Sequence, residues 1–94
     1  MLSEARLPVP VKEYCFHPER KWRFDFCYPE RRIAIEIEGG VFTKGAHGSI
    51  TGLLRDIEKY TEAATLGYRI IRILPSNLLK WETIKKIGRA LNQL

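Results

Sequence analysis

Three acidic side chains, Asp25, Glu36 and Glu38, lie in two segments where polar and apolar residues alternate. These segments, residues 22–28 and 33–40, are separated by a short turn. Alternation with a period of two is typical of β-strands that place one face in a core. Two such strands joined by a turn pair antiparallel. A register that sets Asp25 opposite Glu36 then brings the two carboxylates close together.

Clustered carboxylates repel one another unless a positive charge lies between them. Hard oxygen ligands suit Mg²⁺, with Mn²⁺ as a substitute, better than they suit zinc. The sequence therefore predicts a metal site formed by Asp25, Glu36 and Glu38. For any single acid, a solvated position on the outer face of a strand is the common alternative. Asp25→Asn and Glu36→Gln are both expected to abolish a metal-dependent activity and to spare the fold.

Several further blocks follow these strands in a recognisable order. They are Trp22-Arg23-Phe24-Asp25-Phe26, Ile33-Ala34-Ile35-Glu36-Ile37-Glu38-Gly39-Gly40, a glycine-rich loop with His47, Arg55-Asp56, and Leu66-Gly67-Tyr68-Arg69-Ile70-Ile71-Arg72. This set resembles the PD-(D/E)xK nuclease superfamily, especially its small Vsr-like and phage-type endonucleases, which include repair enzymes. The resemblance spans about residues 12 to 74. It implies a restriction-endonuclease-like fold and a Mg²⁺-dependent DNA endonuclease.

The resemblance also implies roles for individual residues. Glu38 stands where the superfamily motif has lysine, which leaves the lysine role open. Lys59 is a candidate for it, although helical spacing puts Lys59 nearly opposite an apolar stripe and favours a solvated side chain. His47 is a candidate to act near the scissile phosphate, with an exposed loop histidine as the alternative. Glu13 is a candidate additional acid, although an exposed strand position is the favoured interpretation for it.

Charged residues outside the acidic strands supply the remaining candidates. Asp56 is a candidate to orient Lys44, His47 or Arg72. Basic residues of the turns and the loop are expected to bind phosphates without reading sequence. They are Arg20, Lys21, Arg31, Arg32 and Lys44.

Length and charge limit the class of protein. Ninety-four residues predict one domain spanning 1–94, which the resemblance implies is a nuclease domain, and a net charge of +5 favours a polyanion such as DNA as partner. No apolar run approaches the ~20 residues of a membrane span, and the first residues lack a signal-peptide core, so we expect a cytoplasmic protein without a membrane partner. No segment is left for a recognition domain. Cleavage is therefore expected to be structure-selective or weakly sequence-specific (at a nick, mismatch, junction or flap), with a homodimer as one source of specificity.

The periodicities predict an α/β fold: a mixed four-stranded sheet flanked by helices. Strands are expected at 11–17, 22–28, 33–40 and 68–74. The first three form an antiparallel sheet, and a helix from Thr51 or Gly52 to about Leu66 adds the fourth strand in parallel. That helix is expected to pack on the sheet through a stripe, and a second amphipathic helix follows within 78–91. The stripe comprises Leu53, Leu54, Ile57, Tyr60, Thr61 and Ala64.

Three alternatives remain open at this point. The missing motif lysine favours a nuclease-fold module that binds nucleic acid without cutting it. An α/β toxin or partner-binding domain could instead use Phe42 and Trp81. The cysteines and histidines match no compact zinc pattern, and reduced thiols are the simpler interpretation. The residues of that zinc alternative are Cys15, His17, Cys27 and His47.

Overall fold

The computed structural model describes residues 7–38, 50–78 and 80–92. Within these ranges the secondary structure is β1 (Val11–Cys15), β2 (Arg23–Tyr28), β3 (Ile33–Ile37), α1 (Ile50–Thr65), β4 (Arg69–Ile73) and α2 (Trp81–Leu91), with 3-10 turns at Pro29–Arg31 and Pro75–Asn77. The sheet order is β1-β2-β3-β4. β1 and β3 both run antiparallel to β2, and β4 runs parallel to β3. The predicted α/β fold, an antiparallel three-stranded sheet extended by one parallel strand, is confirmed.

The β2–β3 hairpin sets the register of the acidic strands. Arg32 closes its turn in the left-handed conformation, with φ of 54°, and donates its backbone N–H to the Pro29 carbonyl at 3.2 Å. The ladder then pairs Tyr28 with Ile33 and continues to the pair Phe26–Ile35. One further step along this register sets Asp25 opposite Glu36, as the spacing predicts.

Strand β3 is buried on both faces, whereas its alternation predicted one buried and one outer face. Ile33 and Ile35 pack with Ile87 and Leu91 of α2 on one side of the sheet. On the other side Ala34 packs against α1 and a cluster of aromatic rings. Because each face is covered, Glu36 is only 5% exposed. The interpretation of its face as an outer surface is therefore wrong.

The alternation of β2 also breaks, and it does so at Asp25. Phe24 stacks on Phe16, with ring centroids 4.0 Å apart, in the cluster beneath α1. Phe26, two residues on, packs against the opposite cluster. The break coincides with a change in hydrogen bonding, because the Asp25 N–H is bonded to a side chain of β3 rather than to its backbone. The expectation that Phe24 and Phe26 share one apolar face is wrong.

Helix α1 turns a different side to the sheet from the one predicted. Leu53 and Ile57 of the expected stripe are 58% and 54% exposed. The residues that meet the sheet are Lys59, Ala63 and, just after the helix, Leu66, whose i, i+4, i+7 spacing defines one helical face, together with Tyr60 of the expected stripe. The expected outward position of Lys59 is wrong for the same reason. Lys59, the polar residue of that face, forms an ion pair with the buried Glu36 of β3.

The remaining element boundaries differ from the predicted ones by a few residues. β1 ends at Cys15, two residues early, and β4 occupies Arg69–Ile73. α2 buries Ile84, as its amphipathic pattern predicts, but leaves Trp81 58% exposed. No helix in the part of the chain that the structure describes is long and apolar enough to cross a membrane.

Candidate active site

Asp25 and Glu36 are interlocked across β2 and β3. The Glu36 Oε2 accepts the Asp25 backbone N–H at 2.8 Å, and the Asp25 Oδ2 accepts the Ile37 backbone N–H at 2.7 Å. Each carboxylate thus satisfies a backbone donor of the other strand just beyond the last ladder pair. This exchange fixes both side chains at the same end of the hairpin.

Two consecutive residues of α1 complete the surroundings of Glu36. The Lys59 Nζ donates to Glu36 Oε1 at 2.9 Å, and the Tyr60 hydroxyl donates to the same oxygen at 2.8 Å. A buried carboxylate is tolerated only when it is paired and hydrogen-bonded. Together with the Asp25 N–H, three donors meet that requirement. The arrangement brings an acid pair and a lysine into direct contact.

The electrostatics of this cluster favour an additional positive charge. Burial raises the pKa of Asp25, and the charges of Glu36 and Glu13 raise it further, while the Ile37 N–H and Lys59 act in the opposite direction. Burial, more than the neighbouring charges, therefore disfavours the ionised form of Asp25, and a cation beside it would favour that form. Burial and the hydrogen bond to Glu36 also raise the pKa of Tyr60, so its hydroxyl stays protonated and remains a donor.

Asp25 and Glu36 provide carboxylate oxygens of the kind that bind a hard divalent cation. Along the described ranges, no hydrogen bond uses the Asp25 Oδ1. No group of three or more histidine, cysteine or acidic side chains there could hold a metal. Mg²⁺ commonly binds through one or two carboxylates and keeps several waters, so Asp25 and Glu36 are the residues that could hold it.

Glu38 does not join that pair, which corrects the predicted cluster of three acids. Its Oε1 accepts hydrogen bonds from the Arg72 guanidinium, from Nε at 2.8 Å and from one terminal nitrogen. Arg72 is held in place because its guanidinium lies 4.8 Å from the centre of the Tyr60 ring. The hydrogen bond to Glu38 raises the pKa of Arg72, and the charge of Asp56 adds to that shift. Asp56 thus lies near Arg72, in line with one of its expected roles.

Glu13 lies on the open side of the acid pair. The β1–β2 register places it opposite Asp25, and its backbone has a φ of 51°. An open groove at this point is lined by Glu13, Lys12 and Asp25, together with Phe26 and Ile37. Glu13 is therefore close enough to act on the field at Asp25 without a direct contact.

The predicted phosphate-binding residues fall at two ends of the sheet. Arg20 and Lys21 lie in the β1–β2 turn, at the same end as the acid pair. Arg20 forms an exposed ion pair with Glu58 of α1, with nitrogen–oxygen distances of 3.1 and 3.2 Å. Arg31 and Arg32 lie at the opposite end, on the order of 13 Å along β3 from Glu36. Lys44 and His47 lie outside the described residues.

Arg32 and the thiols have structural surroundings of their own. Arg32 donates to the Leu66 carbonyl at 3.0 Å and lies over the Tyr68 ring.

Both cysteines are free; Cys15 is exposed and Cys27 is buried. Cys15 pairs with one end of β2 and Cys27 lies near the other, so the two do not face each other.

Sequence reasoning missed Tyr60 as a residue of the site. It was assigned to the apolar stripe, whereas its hydroxyl contacts Glu36. A usable signal was present, because Lys59, Ala63 and Leu66 form an alternative stripe that puts Lys59 and Tyr60 towards the sheet. The sequence predicts Arg72 only as a partner of Asp56, whereas its guanidinium binds Glu38.

Comparison with known proteins finds relatives without an assigned role. Two uncharacterized proteins of Mycobacterium tuberculosis, from strains CDC 1551 and H37Rv, are each 32% identical to this chain over 83 residues. The match covers 79% of this chain and 29% of each relative, so the chain spans less than a third of their length. No family model and no solved structure matches the chain.

Proposed function

We propose that this chain is a restriction-endonuclease-like domain that hydrolyses phosphodiester bonds in DNA with the help of Mg²⁺. The observation that carries the proposal is the contact of Lys59 Nζ with Glu36 Oε1, beside Asp25. The resemblance to PD-(D/E)xK nucleases requires two acids and a lysine in one place. The sequence lacked that lysine at position 38, and α1 supplies one from outside the motif.

Each residue has a role that its geometry supports. Asp25 and Glu36 would hold the ion, which when bound lowers the pKa of a water molecule and neutralises charge on the phosphate. Lys59 would lie beside the reacting group and stabilise negative charge as it develops there. Tyr60 keeps Glu36 in one orientation. The Phe24 ring, 5.8 Å from the Lys59 Nζ, restricts water on the inner side.

The wider surface is consistent with a DNA substrate. The net charge of +5 attracts a polyanion, while a cation bound at the Asp25–Glu36 pair would neutralise the acids nearest to the reacting phosphate. Arg20 and Lys21 are at the right end of the sheet to meet flanking phosphates. Dimerisation is part of the proposal, because cutting both strands symmetrically requires two sites. Exposed apolar residues of α1, such as Leu53 and Ile57, form one surface that a second copy could cover.

A binding module without cleavage is the second candidate, and one observation favours it. Both oxygens of Glu36 already accept hydrogen bonds, and Glu38 is engaged by Arg72. Such an acid can be a purely structural part of a nucleic-acid-binding domain. That domain would bind DNA with a strong salt dependence and would not need the acid pair.

Cleavage of labelled DNA distinguishes the two. Wild type, Asp25→Asn and the control Glu30→Gln are incubated with linear, nicked, branched and single-stranded DNA in Mg²⁺, Mn²⁺ or EDTA. Glu30 is a suitable control because it is an exposed acid in the turn at the far end of the hairpin. We expect metal-dependent cleavage by wild type and Glu30→Gln and none by Asp25→Asn, with DNA binding retained by all three. Salt-sensitive binding with no cleavage by any of them would instead support the binding module.

A further inference from the structure

We propose that Lys59 is the counter-ion of the Asp25–Glu36 pair in the metal-free protein and that it releases Glu36 when a divalent cation binds. The inference rests on the proposed function, because it concerns the same two carboxylates. The motif does not specify this property, in which an ammonium group and a metal ion compete for one acceptor position on the Glu36 carboxylate.

The lone pairs of Glu36 limit how a cation can bind to its carboxylate. A carboxylate has about four acceptor positions on its two oxygens. The Oε1 already accepts from Lys59 Nζ at 2.9 Å and from the Tyr60 hydroxyl at 2.8 Å, which fills both of its positions. The Oε2 accepts the Asp25 N–H and is therefore turned towards the β2 backbone. A cation that uses Oε1 must displace one of two donors.

Lys59 is the donor that can leave. Its side chain is 17% exposed and ends a flexible four-carbon stem, so the ammonium can move to water without disturbing the helix. The Tyr60 hydroxyl is fixed by a rigid ring that lies beneath the Arg72 guanidinium. Displacing it would strand a buried donor, which is costly. Repulsion between the ammonium and a divalent ion on the same carboxylate acts in the same direction.

The released lysine remains at the site. Its Nζ lies 5.3 Å from the centre of the Tyr60 ring and 5.8 Å from that of Phe24. The Tyr60 ring adjoins Glu36 through its hydroxyl, so an ammonium that stays against this ring remains next to the carboxylates after it moves outward. There it is available to a phosphate oxygen, which a lysine bonded to Glu36 is not.

The test measures Mn²⁺ binding to the whole chain, without DNA, by isothermal titration calorimetry. It compares wild type with Lys59→Met and with the control Lys12→Met. The control removes the same charge from the groove beside Asp25, where Lys12 is exposed and has no bond to Glu36. A contacting charge changes the proton affinity of a carboxylate by about one to three pKa units. We therefore expect Lys59→Met to bind Mn²⁺ about tenfold more tightly or better, and Lys12→Met to change affinity by less than about threefold.

Thermal unfolding supplies a second readout. Lys59→Met should unfold at a lower temperature than wild type in EDTA, because Glu36 loses its ion pair, and should gain more from Mn²⁺. If Lys59→Met does not fold in EDTA, recovery of its fold with Mn²⁺ supports exchange, and Lys59→Gln takes its place in the titration.

Two outcomes would contradict the argument at different levels. Equal Mn²⁺ affinity of wild type, Lys59→Met and Lys12→Met would overturn the exchange and leave the proposed nuclease intact. Equal gains by both methionine variants would also overturn it, because only general charge would then matter. Absence of Mn²⁺ binding by wild type and Lys59→Met alike would overturn the proposed function itself.

Discussion

The hydroxyl of Tyr60 provides the sharpest test of how Glu36 is held. Tyr60→Phe removes one donor, 2.8 Å from the Glu36 Oε1, and leaves the ring in place under Arg72. A hydrogen bond to a charged group contributes about 1.5–3 kcal/mol to stability. We therefore expect the free energy of unfolding to fall by about 2 kcal/mol. For a chain of this size, Tm should then fall by about 8–16 °C.

Tyr28→Phe is the matched control in urea unfolding at neutral pH. The Tyr28 hydroxyl donates at 2.9 Å to the Pro8 carbonyl, a neutral acceptor, so the same substitution should cost only about 0.5–1.5 kcal/mol. Both variants should keep the wild-type dependence on urea concentration. A loss for Tyr60→Phe no larger than that for Tyr28→Phe would refute the view that Tyr60 stabilises an ionised, buried Glu36.

Three further predictions address other parts of the chain. His17→Ala should lower the free energy of unfolding by about 1–3 kcal/mol. The His17 Nε2 lies 2.9 Å from a Glu62 oxygen, and its Nδ1 accepts hydrogen bonds from two backbone N–H groups of the next turn. Unchanged unfolding in urea would contradict this prediction. A thiol reagent near pH 8 should label only exposed Cys15 in the folded chain and both cysteines in urea, because burial raises the pKa of Cys27 to about 11. Because the pKa of Asp25 is raised from 3.8, the folded state binds this proton more tightly than the unfolded state does. The contribution of Asp25 to the free energy of unfolding therefore falls as the pH rises above 3.8. In EDTA at pH 7, Asp25→Asn should thus have a Tm equal to or above that of wild type, and the difference should vanish in acid; a lower Tm at pH 7 would contradict the sign.

The fold was predictable because its signals are local. The turn between β2 and β3 fixes which residues face each other, and the alternation on both sides identifies the strands. A helix between two strands then leaves little choice but a parallel crossover. Asp25 opposite Glu36 followed from the same reasoning, since it needs only the register of one hairpin.

The face of α1 was not predictable from hydrophobicity alone. Leu53 and Ile57 are the more apolar residues, yet Lys59 and Tyr60 meet the sheet. Periodicity measures polarity, not whether a polar group will find a partner. A lysine can face inward when an acid lies opposite it, and that depends on β3, a different element. The break at Asp25 has a similar origin, because the Asp25 N–H donates to the Glu36 side chain there rather than to a ladder partner.

The burial of Glu36 changes what its substitution can reveal. The sequence predicts that Glu36→Gln spares the fold, because the substitution removes a ligand but little packing. In the structure Glu36 is 5% exposed, and its carboxylate accepts from three donors. An amide in its place would turn an NH₂ group towards either Lys59 and Tyr60 or the Asp25 N–H, leaving buried donors facing donors. Loss of activity in Glu36→Gln would therefore mix a lost ligand with a weakened fold. Asp25, whose amide variant can still accept the Ile37 N–H, is the position at which the chemistry can be separated from folding.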